Sequence, residues 1–232
     1  MGMEESDILL RDKGRKRMFE FVEVKFKDIL DIPALHIEKD RITSFVGPSG
    51  SGKTTILKML NKMLSPTEGH ILFNDRNLNE IDSVSHRRCV TMLSQSPVVF
   101  EGNIRENLIA GLRFQKREIP DDATLKEMLE KMKLHKELES SVETLSGGEK
   151  QRLALGRVLL LNSEVYLLDE PSSALDDETA EAIIEMIAGY AKHEKKTLIM
   201  VTHSKAIAQR FSDEIIEISG GKVIGGLHER DN

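Results

Sequence analysis

The stretch Gly47-Pro48-Ser49-Gly50-Ser51-Gly52-Lys53-Thr54 constrains this chain more than any other. It matches the spacing G-x-x-x-x-G-K-[ST] in full, and its flanks match as well. The compact apolar run Ile42–Val46 before it reads as a buried strand. After it, Ile56, Leu57, Met59, Leu60, Met63 and Leu64 recur at helical spacing and stop at Ser65-Pro66. A strand, a glycine-rich turn and a helix in that order aim backbone N–H groups and a positive helix end at one anion. The anion that suits such a cradle is a polyphosphate. Lys53 supplies a point charge to its β- and γ-phosphates, and the Thr54 hydroxyl is placed to ligate Mg²⁺.

Two further stretches carry chemistry. Val165-Tyr166-Leu167-Leu168-Asp169-Glu170 is an apolar strand ending in two acids, at the end where parallel strands deliver ligands. Asp169 suits a Mg²⁺ shared with Thr54. Glu170, one residue closer to the loop, suits the orientation or deprotonation of an attacking water. Leu145-Ser146-Gly147-Gly148-Glu149-Lys150-Gln151-Arg152 is a second glycine-rich turn opening a helix. Its free N–H groups and the Ser146 hydroxyl make another anion site, although Ser146 serves equally as a helix N-cap. The chain thus has two anion loops and one phosphate lysine. Either one chain holds two anions, or the second loop completes the site of another copy; spacing leaves both open.

The rest of the chain bounds the fold. A length of 232 residues suggests about 1.5 domains. With 39% apolar and 31% charged residues, global disorder is excluded. A net charge of −6 argues against a dedicated nucleic-acid binder, so no nucleic acid is expected as a partner. The single cysteine, Cys89, forms no internal disulfide, no apolar run approaches a membrane span, and Met1–Leu10 lacks the features of a secretory signal. These features lead us to expect a soluble, cytosolic protein. Residues 1–17 read as a polar tail, with order beginning near Met18.

Phe19–Phe26 suits an edge or antiparallel strand, and His70–Phe73 another short one. About Ser96 to Val142 is poorer in strand signals, with an amphipathic helix opening at Pro120-Asp121-Asp122. Its methionines, Met128 and Met132, sit at core-facing positions and read as packing rather than metal ligands. The last third alternates: helix Gly148–Leu161, strand Val165–Leu168, helix Asp177–Tyr190, strand Thr197–Val201, helix Ser204–Phe211. A terminal hairpin follows over Glu214–Ile218 and Lys222–Ile224. The expected class is α/β. A mainly parallel sheet is flanked by helices, with an antiparallel β part at the N-terminus and a helical insertion.

With these motifs in place, residues 18–232 resemble the nucleotide-binding domain of an ATP-binding cassette (ABC) transporter, a P-loop NTPase. Leu145–Arg152 is the family's signature, and its position shortly before Val165–Glu170 fits. The resemblance implies further roles. Thr55 joins residues 47–54 and the loop Ser146, Gly147 and Gly148 in holding ATP. Gln95 resembles the glutamine that touches Mg²⁺, beside Thr54 and Asp169, and the attacking water. Ser173-Ala174-Leu175-Asp176 resembles the D-loop, and His203 the switch histidine that contacts the γ-phosphate. Glu170, Gln95 and His203 then form the catalytic set. A head-to-tail homodimer is implied, each ATP held between one phosphate loop and the other copy's Ser146–Gly148. One departure stands out: the aromatic residue that stacks on adenine in the family falls at Asp28, so base recognition is expected to be differently built.

A separate membrane-spanning permease is the partner the resemblance implies, met by the region Ser96–Leu112. This places the chain in the cytoplasm, peripheral on the inner face of the cell membrane. The wording Phe100–Asn107 is similar to exporter cassettes, closest in pattern to small bacterial two-component systems. A soluble ABC-type ATPase, for example in cluster assembly, is the rival expectation. A small-molecule kinase leaves Leu145–Arg152 unexplained.

Overall fold

A computed structural model of the chain describes residues 16–227. The polar tail expected over 1–17 lies outside the described residues up to position 15. Arg17 opens the first strand, one residue before the expected start.

Two sheets share the molecule. The first is antiparallel and joins β1 (Arg17–Phe26), β2 (Leu30–Glu38), β4 (Glu68–Phe73) and β5 (Arg76–Asn77), in the order β2-β1-β4-β5. β1 is therefore antiparallel as expected but interior, paired on both sides. β2 carries Pro33, whose missing N–H is tolerated because this strand lies at the edge of its sheet. The second sheet joins β3 (Ile42–Val46), β6 (Val90–Leu93), β7 (Val165–Asp169), β8 (Thr197–Val201), β9 (Glu214–Ser219) and β10 (Lys222–Leu227). Its order is β10-β9-β3-β8-β7-β6, parallel except for the terminal hairpin.

Seven α-helices accompany these strands among the described residues: α1 (Lys53–Leu60), α2 (Ser83–Cys89), α3 (Ile104–Phe114), α4 (Asp122–Lys131), α5 (Gly147–Leu159), α6 (Asp177–His193) and α7 (Lys205–Phe211). α1 ends four residues before the expected stop. Asn61 turns its side-chain amide into the core to donate to the Val90 carbonyl (2.6 Å), and Lys62 then takes a left-handed conformation. The segment Ser96–Val142 holds α3 and α4 with irregular chain around them, rather than helix throughout.

The central strands show why the sheet is buried on both faces. Val165, Leu167, Ile199 and Val201 face a core shared with α1 and the antiparallel sheet. Tyr166, Leu168, Leu198 and Met200, the alternate positions, face a second core built with α3, α4, α5 and α6. Met132 is fully buried in that second core and Met128 packs against it, as expected for gap-filling side chains. Cys89 is exposed and free.

Candidate functional site

The carboxyl ends of β3, β7 and β8 are neighbours in the sheet, and the loops leaving them converge. From β3 comes residues 47–52, leading into α1. Gly47 and Gly52 adopt φ of 136° and 101°, which only glycine takes without strain. Gly47 has a second constraint: a Cβ would come within 2.0 Å of the Ile218 carbonyl oxygen on β9. Lys53 folds back beneath the loop, donating to the carbonyls of Gly47 (2.9 Å) and Pro48 (2.7 Å) and to Ser51 Oγ (3.3 Å). Its amine is only 5% exposed as a residue, and burial holds its pKa below the ordinary lysine value, against the opposing charges of Glu170 and Asp169.

From β7 come the two acids. Thr54 Oγ1 donates to Asp169 Oδ1 at 3.1 Å, so the residues expected to share a cation do meet. Asp169 is 2% exposed, and burial raises its pKa although the Thr54 bond opposes the shift and the Glu170 charge adds to it. A buried carboxylate held against its own desolvation, beside a hydroxyl oxygen, is a hard-oxygen pair that a divalent cation such as Mg²⁺ fits. No group of three or more His, Cys, Asp or Glu side chains is placed to hold a metal ion among the described residues.

Glu170 sits in the left-handed region (φ 51°), a costly conformation for a non-glycine residue. Its N–H donates to the Val201 carbonyl at 3.0 Å. Its carboxylate Oε1 lies 2.6 Å from Nε2 of His203, which follows β8. A cleft of about 350 Å³ is lined by Ser49, Gly50, Ser51, Gly52, Lys53, Thr54 and Thr55, together with Gln95, Glu170 and His203. Residues 49–55, Gln95, Glu170 and His203 therefore meet at one cleft, and Gly47, Pro48 and Asp169 are tied to it through Lys53 and Thr54. Ser146, Gly147 and Gly148 do not line it.

Gly147 instead lines a neighbouring cleft of about 500 Å³ with Gln95, Lys150, Gln151 and Ala174. Ser146 serves as the N-cap of α5: its Oγ accepts from the Glu149 N–H (3.3 Å), while the Glu149 carboxylate accepts from the Ser146 N–H (2.8 Å). Within one chain, Ser146 is thus a cap. Ile29, not Asp28, lines the cleft beside residues 49–55, with 42% of its surface exposed. Phe26 is buried in the antiparallel sheet's core. Sequence reasoning overlooked Ile29 because the short turn from β1 to β2 gives no periodic signal. It also overlooked Gln151, a buried residue whose side chain holds the turn after β7.

Comparison with known proteins agrees with this architecture. The ABC transporter family profile matches residues 30–173. The phosphate import ATP-binding protein PstB of Tropheryma whipplei is 37% identical over 213 residues, covering 85% of this chain and 82% of PstB. The transport/processing ATP-binding protein ComA of Streptococcus pneumoniae is 35% identical over 216 residues, covering 89% of this chain; the chain spans only 29% of ComA's length. Among solved structures, a dimeric post-hydrolysis state of the ATP-binding cassette MJ0796 bound to ADP and Pi superposes with a TM-score of 0.80. It is 26% identical and covers 93% of this chain and all of that one. The chain is an ATP-binding domain of the ABC transporter family.

Proposed function

We propose that this chain binds MgATP in the cleft above Lys53 and hydrolyses it to drive a membrane-spanning partner. The observation that carries the reading is the convergence of the Lys53 loop, the Thr54–Asp169 pair and the Glu170–His203 pair on that one cleft. The N–H groups of residues 49–54 and the Lys53 ammonium hold the β- and γ-phosphates, as the positive end of α1 favours. Glu170 takes the proton of the attacking water. His203, 2.6 Å away, steadies that carboxylate and faces the γ-phosphate. Mg²⁺ bound by Thr54, Asp169 and Gln95 would neutralise developing charge on the phosphate oxygens. The chain's own contribution is positioning and electrostatics.

Ser146–Gly148 stands outside this cleft, which supports the reading that it closes the site of a second copy in a two-fold dimer. The membrane partner is supported by a separate surface. Val98, Phe100 and Phe114 are 64%, 39% and 73% exposed, and the two phenylalanine rings pack edge to face at 5.8 Å. The Arg157 guanidinium lies 5.1 Å from the Phe100 ring centre. These side chains line an apolar groove beside α3, following Gln95 in the chain. No described helix is long and apolar enough to cross a membrane, so the spanning part of this reading belongs to other sequence. The wording of Phe100–Asn107 favours export.

Phosphate release from MgATP tests the reading. Wild-type protein is expected to turn over. Lys53→Ala is expected to lose nucleotide binding together with turnover, and unchanged affinity in that variant would remove Lys53 from its role.

A further inference from the structure

Glu170 is held in its unfavourable backbone conformation by its neighbours rather than by its own preference. One of those neighbours reaches it from the second anion loop's helix. Gln151 lies in the second turn of α5 and is 3% exposed. Its Nε2 donates to the Glu170 carbonyl at 2.9 Å, and its Oε1 accepts from the Ala174 N–H at 3.0 Å. A single amide thus clips both ends of the turn that leaves β7. The turn is closed from within by the Ser173 N–H, which donates to the same Glu170 carbonyl at 3.2 Å. The start of α5 presses on it too: a Cβ on Gly148 would come 2.9 Å from the Ala174 carbonyl oxygen and 3.2 Å from Leu175 Cδ2.

We infer that Gln151 is a positioning residue that ties the Glu170 carboxylate to the helix carrying Ser146–Gly148. The inference rests on the reading of Glu170 as the base. Both bonds are needed, because a side chain with a donor and an acceptor at one planar head is what an N–H and a C=O four residues apart require. When α5 shifts to meet an anion at its N-terminus, the turn at residues 170–174 moves with it. The state of the second loop thereby sets where the Glu170 carboxylate stands in the first cleft of the same chain. A misplacement of about 1 Å at such a group lowers a rate by as much as a hundredfold.

Steady-state hydrolysis and nucleotide affinity of the purified chain separate this role from a structural one. Gln151→Met keeps the side chain's length and loses both bonds. Gln151→Glu keeps the acceptor and sets a carboxylate oxygen against the Glu170 carbonyl. Each is expected to lower kcat at least tenfold, with the Kd for MgATP within about twofold of wild type. Turnover within twofold of wild type for both Gln151 variants overturns the inference. So does a parallel fall in kcat and affinity that follows a lowered Tm, which marks a purely structural residue. Glu170→Gln assayed alone tests the base: if it keeps turnover, that assignment fails whatever the Gln151 variants do.

Discussion

Burial raises the Asp169 pKa, so below the ordinary aspartate range the protonated side chain sits in the fold without penalty. This stability is lost as pH rises through the raised value, because the buried form must then ionise. Ionising this side chain in the nucleotide-free protein therefore works against its burial. Asp169→Asn keeps an oxygen for the Thr54 hydroxyl and removes that charge. It is expected to raise the Tm of the nucleotide-free protein by roughly 2–4 °C, about 1 kcal/mol for a chain of this size. Thermal unfolding checks this, and stabilisation by MgATP should disappear in the same variant. Ile29 gives the cleft an apolar surface, next to Asp28, the position where the family resemblance implies an aromatic ring. Ile29→Tyr is expected to tighten ATP binding about tenfold, within the range of one base–aromatic stack. Affinity unchanged in equilibrium titration would mean that the base does not reach this side chain.

Among the elements, the phosphate loop was legible because its signal is local: eight consecutive residues, an apolar strand before and a helix after. β7 and β8 were legible because both faces are buried and the runs are continuously apolar. β2 escaped because Pro33 breaks its pattern, and only its place at the sheet edge makes the proline tolerable. α3 was not read from the sequence, although Asn103 and Glu106 form a capping box at its start. Ser146 illustrates the opposite limit. Its sequence supports both a cap and an anion contact, and in one chain the side chain serves as a cap. Asn107 was invisible as a polar residue on a helix, yet it is fully buried and holds the loop before α3. It accepts from the Phe100 N–H and donates to the Phe100 carbonyl, both at 2.8 Å. Asn107→Ala leaves both loop groups unmet at a cost of about 2–3 kcal/mol. Its Tm is expected to fall by roughly 4–12 °C, and a shift under 1 °C would show that the loop satisfies itself.

At the scale of the whole molecule, the proposed function assigns partners to two surfaces. The first is the groove at Val98, Phe100 and Phe114. Under the transport reading, Phe114→Asp is expected to abolish co-purification of a multi-spanning membrane protein with the tagged chain while leaving basal hydrolysis intact. Retention of that protein by the variant would move the docking face elsewhere. The second is the nucleotide cleft itself, which lacks the Ser146–Gly148 loop that a second copy would bring. Under the dimer reading, that loop closes the partner's cleft over uncleaved nucleotide, so a base-deficient variant should trap the dimer. Sedimentation of Glu170→Gln with saturating MgATP is the most direct measurement. The account predicts no turnover, retained ATP binding and a shift from monomer to dimer that ADP does not produce. A Glu170→Gln protein that binds MgATP and stays monomeric, or that still hydrolyses it at the wild-type rate, would contradict it.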